Sequence, residues 1–438
     1  MKKIIGIRRE DKNEWERRVP IIPAHIRKLE DVDIRVCIQP QKNRAFADKE
    51  YLSAGAKVTE DIEPCPVILG VKEIPTSLLR PDKIYLYFSH TIKGQPYNMP
   101  MLQRLVDLKC TLIDYECIKD ENGKRLVFFG RYAGLAGMID ALHILGKRLK
   151  QQGLNSPFEK IKPAYKYHDL EEAKSDIALV GKEISENGLP ADIAPMVVGF
   201  AGYGHVSKGA QEIYDLLPVQ QITPRELVSK KIKSDQLLKV VFKEEDMVVP
   251  VDSSQSFSLQ DYYEHPEKYE SRFEKYLPFM TILLNGIYWE NRYPRLVTKS
   301  FLKKYFAGEK QKLQIISDIS CDINGSIECT EKTTIPDEPA FVYNPLTDTI
   351  SDGIEGRGII VLAVDNIPAE LPRDSSAAFS EALWPFIAGI VNADLDQDFQ
   401  NCNLPAEIKR AAILYKGQLT PAYRYLNEHL DRAKETKI

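Results

Sequence analysis

Residues 195–210 read Pro195-Met196-Val197-Val198-Gly199-Phe200-Ala201-Gly202-Tyr203-Gly204-His205-Val206-Ser207-Lys208-Gly209-Ala210. A short apolar run meets a glycine cluster, and a helix-forming segment (210–217) follows at once. This is strand, tight turn, helix N-terminus. Gly202 and Gly204 let the backbone approach a pyrophosphate, and the helix start that follows offers free N–H groups and a positive dipole end that favour an anion. Ser207 stands where a third glycine is commonest. A glycine turn alone is often only a turn, but the strand–turn–helix context makes it a nucleotide site. Its place near residue 196 leaves room for a whole domain ahead of it.

The chain has 438 residues, enough for two or three domains. Apolar runs in the first 130 residues (32–39, 67–71, 84–89 and 111–115) alternate with helical patterns at 23–30 and 99–108. Strands alternating with helices imply βαβ units and a parallel sheet. A long helix is expected over 134–152, and Asp169 caps another running to about 186. A second series of strands lies at 196–200, 219–222, 281–286, 314–319 and 359–364. It is broken by a polar, Tyr-rich insertion at about 225–275, and the pattern after 370 is helical. The expected fold is α/β: two Rossmann-like domains with parallel sheets flanking a central cleft. Residues 1–130 with about 370–438 would form the substrate domain, and 131–369 the dinucleotide-binding domain.

A net charge of −4 argues against a nucleic-acid partner, and no apolar run approaches the ~20 residues that span a bilayer. Nothing resembling a targeting peptide precedes the first strand, so a cytoplasmic location is expected. The seven cysteines are scattered without CxxC spacing, which fits reduced thiols and no metal site. Self-association is left open.

Open α/β sheets bind ligands at the carboxyl ends of their strands. The polar residues there are Arg17 and Arg18 after the first strand, Lys72 and Glu73 after 67–71, and His90 with Lys93 after 84–89. Glu116 follows 111–115, and Arg125 enters a hairpin-like element at 126–129. Singly, each reads as an ordinary surface or capping residue. Together they present a mostly basic set suited to a substrate with several carboxylates. In the second domain, NAD-binding sheets usually place Asp or Glu about twenty residues past the glycines, on the ribose. Here that strand ends in neutral Thr223, with Arg225 two residues on, which favours NADPH over NADH.

These residues carry a resemblance. The chain is similar to the alanine dehydrogenase/transhydrogenase-like and saccharopine dehydrogenase group, most of all to its saccharopine-forming, lysine–2-oxoglutarate-reducing branch. The motifs are Arg8-Arg9-Glu10-Asp11 with Trp15-Glu16-Arg17-Arg18-Val19-Pro20, Ile68-Leu69-Gly70-Val71-Lys72, Phe88-Ser89-His90-Thr91-Ile92-Lys93 and the glycine turn. Leu284-Asn285-Gly286-Ile287-Tyr288-Trp289-Glu290, Asp318-Ile319-Ser320-Cys321-Asp322 and Val364-Asp365-Asn366-Ile367-Pro368-Ala369 complete the set. The resemblance implies NADPH-dependent reductive condensation of L-lysine with 2-oxoglutarate to L-saccharopine. It makes Lys72 and His90 the acid/base pair and Arg18 a carboxylate grip, with Lys93 and Arg125 as further anion contacts. Glu73 and Glu116 would hold these cations and tune them. His205 and Val206 would meet the cofactor's pyrophosphate. Asn285, Gly286, Asp318, Ile319, Asp322, Asp365, Asn366 and Ile367 would line the nicotinamide end. The chain departs from the NAD-using members in lacking the acidic ribose residue, and from alanine dehydrogenases in its 225–275 insertion. The alternatives are an NAD-dependent, lysine-forming saccharopine dehydrogenase, an alanine-type dehydrogenase acting on a small 2-oxo acid and ammonia, and a non-catalytic dinucleotide-binding protein.

Overall fold

The computed structural model describes residues 3–229, 236–308 and 311–435; residues 230–235 of the 225–275 segment lie outside the described residues. The chain divides into two compact units, Met1–Phe129 with Pro372–Ile438, and Gly130–Leu371. Each is an α/β, Rossmann-like domain built on one eight-stranded sheet.

The first unit holds β1 (Ile4–Ile7), β2 (Arg35–Ile38), β3 (Lys57–Val58), β4 (Val67–Leu69), β5 (Ile84–Tyr87) and β6 (Thr111–Asp114). Two strands from the C-terminal region, β17 (Ala412–Tyr415) and β18 (Gln418–Leu419), join the β6 edge, giving the order β18-β17-β6-β5-β4-β1-β2-β3. β1 to β6 run parallel and β17 runs antiparallel to β6. Short strands buried on both faces, such as Val67-Ile68-Leu69, are what a sheet covered by helices requires. The strand order reverses between β1 and β4, so the loops leaving these two strands diverge and open a crevice. The C-terminal region is therefore not wholly helical. The run Ala412-Ile413-Leu414-Tyr415 directly follows the helix Ala406–Ala411, and four apolar residues are too few to show a period. Segment 126–129 forms no strand; Arg125 makes a single antiparallel bridge to Lys119.

The second unit holds β7 (Met196–Ala201), β8 (Val219–Ile222), β9 (Leu237–Phe242), β12 (Ile282–Asn285), β13 (Ile315–Asp318), β14 (Ala340–Asn344), β15 (Thr349–Asp352) and β16 (Ile359–Leu362). A separate hairpin pairs β10 (Val248–Pro250) with β11 (Tyr269–Ser271). The sheet order is β15-β14-β16-β13-β12-β7-β9-β8, with β14 and β15 antiparallel at one edge. The 225–275 segment is thus only partly an insertion, because it contributes β9 beside the glycine-bearing β7. The sequence hides this strand behind Lys239, at the centre of Leu237–Phe242. Its ammonium is matched by the Asp215 carboxylate at 2.6 and 2.8 Å, which removes the cost of an unpaired charge in a nearly buried strand.

The helix Gly130–Gln151 opens this unit, four residues before its expected start. It crosses the helix His205–Tyr214 at backbone contact. A Cβ on Gly134 would lie 1.8 Å from the Val206 carbonyl oxygen, and one on Gly209 would lie 2.1 Å from that of Arg131. Asp169 caps the helix Leu170–Asn187 by accepting from Glu172 N–H at 2.9 Å. No helix among the described residues is long and apolar enough to cross a membrane.

Candidate active site

In the first unit the site begins with the loop leaving β1. Glu10 is buried, and its carboxylate accepts from the backbone N–H groups of Val71 (2.7 Å) and Lys72 (3.0 Å), fastening this loop to the one after β4. Burial, then the charge of Glu16, pushes the Glu10 carboxyl up to about 7 against the pull of those N–H groups and Arg8. Glu16 and Arg18, both fully buried, form a fork, with Nε to Oε1 at 2.8 Å and Nη2 to Oε2 at 2.5 Å. The Arg18 guanidinium lies 4.2 Å over the Phe129 ring. Arg17 turns away and donates from Nε to the Asn43 carbonyl.

Lys72 is half-buried beside this pair. Burial and then the charge of Arg18 lower its pKa, while Glu16 and Glu73 oppose the shift. Glu73 joins His90 through Oε1 to Nδ1 at 2.5 Å and Lys12 through Oε2 at 3.1 Å. Burial opposes ionisation of Glu73, but the hydrogen bond and charge of His90, with Lys12, outweigh it and hold the carboxyl at about 2. His90 sits at φ +49°, in the left-handed region that a non-glycine residue seldom occupies. Its neighbours hold it there. Ser89 donates from N and Oγ to the buried Asp114 carboxylate, Ser89 and Thr91 share a hydroxyl contact of 2.8 Å, and Asn98 donates to the His90 carbonyl at 3.0 Å.

Lys72, His90, Glu73 and Arg18 are therefore brought together. Lys93 stays exposed three residues past His90. Glu116 and Arg125 stand 3.8 Å apart as a pair of their own, with Glu116 fixed by its N–H to Asp114 at 2.8 Å. Glu10, Glu16 and Lys12 are site residues that strand-end reasoning passed over. The alternation of acids with bases between Arg8 and Arg18 was their signal, since buried charges must find partners.

In the second unit Gly202 has φ +90° and donates to the Phe242 carbonyl at 3.0 Å. A Cβ there would meet Ile287 at 3.1 Å, so only glycine suits both the conformation and the space. Gly204 is the N-cap of the helix His205–Tyr214 and offers no side-chain cap, and a Cβ on it would meet nothing within 4 Å. His205 is exposed, Val206 half-buried and Ser207 buried against its own helix, where it accepts from Gln211 at 3.0 Å. An open glycine cradle below uncapped helix N–H groups fits a dinucleotide pyrophosphate.

Other expected cofactor residues divide sharply. Asn285 and Asp318 are buried and bonded to each other at 2.8 Å. Asn285 also donates to Ser326, while Asp318 accepts from Thr330 at 2.6 Å and Ser320 at 2.8 Å. Burial raises the Asp318 pKa against those three donors. These two side chains lock the ends of β12 and β13 together. Gly286 and Ile319 are half-buried beside them, and Asp322 and Asp365 are exposed. Asn366 turns the chain at φ +63° and Ile367 is buried. At the sheet edge, Thr223 caps the helix Pro224–Ser229 in a reciprocal box with Glu226 (2.9 and 3.2 Å), and Arg225 is exposed.

Comparison with known proteins fits this arrangement. Residues 6–136 match the alanine dehydrogenase/PNT N-terminal domain, and residues 281–422 match the alanine dehydrogenase/PNT C-terminal domain. The chain belongs to the alanine dehydrogenase/PNT family. Within that family it is 37% identical over 445 residues to the alpha-aminoadipic semialdehyde synthase of Arabidopsis thaliana, covering 97% of this chain and 41% of the relative. The chain thus spans less than half of that relative's length. It is 26% identical to the saccharopine dehydrogenase [NAD(+), L-lysine-forming] of Emericella nidulans, covering 84% of this chain and 88% of the relative. A solved L-alanine dehydrogenase superposes with a TM-score of 0.64 at 18% identity, covering 98% and 99% of the two chains, so the alanine dehydrogenase/PNT fold extends over the whole chain.

Proposed function

We propose that this chain catalyses the reductive condensation of L-lysine with 2-oxoglutarate to L-saccharopine, using a reduced nicotinamide dinucleotide. The observation that carries the reading is the cluster of Lys72, His90–Glu73 and Arg18–Glu16 around the β1/β4 strand-order reversal. Resemblance to alpha-aminoadipic semialdehyde synthases and saccharopine dehydrogenases supports the choice of substrates.

The ε-amine of lysine attacks the ketone carbon of 2-oxoglutarate, forming a C–N bond and an alcohol. Loss of water then leaves an imine. Both steps move protons, and a base or acid close to neutrality serves them. Lys72, its pKa lowered, is neutral more of the time than an exposed lysine and can take the proton of the substrate ε-ammonium, freeing the amine that attacks. His90, oriented through Nδ1 by Glu73, delivers a proton to the departing hydroxyl from Nε2. Arg18 sets a fixed positive charge for a substrate carboxylate, with Lys93 and Arg125 as outer cations. When bound, a reduced nicotinamide supplies the hydride that reduces the imine carbon. Gly202, Gly204 and the N–H groups of His205–Ser207 would hold its pyrophosphate.

The choice of dinucleotide turns on two strand ends. Exposed Arg225 beside neutral Thr223 suits the 2′-phosphate of NADPH, whereas Glu244, two residues past β9, suits NADH.

Loss of the reduced nicotinamide absorbance, with each substrate omitted in turn, tests the reaction. Oxidation requiring both lysine and 2-oxoglutarate is expected. Turnover of pyruvate with ammonia and none with lysine would overturn it in favour of an alanine-type dehydrogenase.

A further inference from the structure

In a doubly wound sheet, the strand beside the glycine-bearing strand ends where the adenosine ribose lies. The strand that follows the glycine helix in sequence usually takes that place. Here it does not. β8 stands at the edge, and β9 lies between it and β7. Ala201 pairs with Phe242, whose carbonyl accepts from the Gly202 N–H, so the end of β9 touches the glycine turn directly. Ile222, the last residue of β8, pairs only with Val240. Thr223 and Arg225 are therefore two strand spacings, about 9–10 Å, from the glycine strand.

Two residues past Phe242 stands Glu244. Its Oε1 accepts from the Tyr263 hydroxyl at 2.8 Å. The Tyr203 hydroxyl, from the glycine turn itself, lies against the same carboxylate, whose charge raises the tyrosine's pKa. The carboxylate is thus half-exposed, bonded to Tyr263 and close enough to the turn for its charge to act on Tyr203. Asp246 caps Lys243 N–H at 3.0 Å and Glu226 is spent on Thr223 at the far strand, whereas Glu245 is exposed, and its charge also acts on Tyr203, less than that of Glu244.

We propose that Glu244 reads the adenosine ribose of the dinucleotide, accepting from its hydroxyls and repelling a 2′-phosphate, so that this chain takes NAD(H) in preference to NADP(H). The proposal rests on the reading of the second unit as a dinucleotide site and not on the identity of the substrates.

Calorimetric titration of the full chain with ADP-ribose and with 2′-phospho-ADP-ribose tests it without turnover. The unmodified chain should bind ADP-ribose the more tightly by about tenfold or more, since like charges brought together at a site oppose binding. Glu244→Gln, and independently Glu244→Ala, should shrink that ratio to about twofold or less by losing ADP-ribose and gaining the phosphorylated probe. Arg225→Ala should leave the ratio unchanged. If Glu244 only clips the two tyrosines, both probes weaken together and the ratio stands, which overturns the proposal. A preference for the 2′-phosphate that disappears in Arg225→Ala also overturns it. Binding of neither probe removes the dinucleotide reading and the proposal together. ADP-ribose discrimination without lysine-dependent turnover removes only the proposed reaction.

Discussion

The two sheets share size and strand direction yet present different chemistry at their carboxyl ends. The first unit works with side chains: Arg18 on Glu16, His90 on Glu73, and Lys72 under the influence of both pairs. The second works mainly with backbone, through a glycine at φ +90° and a helix end with no side-chain cap. Small keto and amino acids differ by single charges and hydroxyls, so they must be read by placed ionisable groups. A pyrophosphate is the same in every dinucleotide, and bare N–H groups are enough for it. The selectivity proposed for Glu244 would accordingly lie at a strand end and not in the turn.

The sharpest way to break this division is to remove the acid/base groups and watch both functions. Lys72→Met with His90→Gln should lower kcat by about 10²–10⁴-fold, while the dissociation constant for the dinucleotide holds within about twofold. Weakened dinucleotide binding would mean that the two sheets do not divide the work.

Arg18→Ala strips the partner from a fully buried carboxylate. A loss of about 3–5 kcal/mol in urea unfolding is expected, with a raised KM for 2-oxoglutarate. Glu16→Gln combined with Arg18→Ala should recover part of that stability, and no recovery would deny that the pair is an ion pair.

Glu10 supplies a pH test. Its folded pKa of about 7 lies above its ordinary value of 4.5, so between these values the folded state holds the extra proton. Stability contributed by this group falls as pH rises from 4.5 to 7, by about 3 kcal/mol in total. Glu10→Gln should flatten that fall, measured by unfolding midpoints across the range; an unchanged slope assigns it elsewhere.

Gly202→Ala forces a side chain into a left-handed conformation against Ile287. A cost of about 1–2 kcal/mol should appear as roughly tenfold weaker dinucleotide binding with KM for the keto acid unmoved.

Much of this was legible in the sequence, for reasons that particular residues make plain. Short apolar runs such as Val67-Ile68-Leu69 admit a strand and little else between helical patterns, so both sheets could be read. Lys72 and His90 stood out because parallel sheets send their chemistry to strand ends. What stayed hidden depended on pairing across distance. Lys239 disguised β9 because its partner Asp215 lies 24 residues away. Without β9, Thr223 reads as the end of the strand next to the glycines; with it, Thr223 caps a helix at the sheet edge, one strand further out. Asn285 and Asp318, which the resemblance set at the nicotinamide end, bond to each other at 2.8 Å, a pairing across 33 residues that no local pattern shows. Glu10 is only one letter of a motif in the sequence, and its part in the site shows in its bonds to Val71 and Lys72 N–H.

The pairing of β17 with β6 has a consequence for synthesis on the ribosome. The second unit is one continuous stretch and can complete its sheet once residue 371 has emerged. The first cannot, because the outer edge of β6 stays bare until 412–415 arrive. At about 5–20 residues per second, that edge is open to wrong partners for several seconds at least. A nascent chain whose emerged part ends between 372 and 411 should therefore carry a finished second sheet and an aggregation-prone first one.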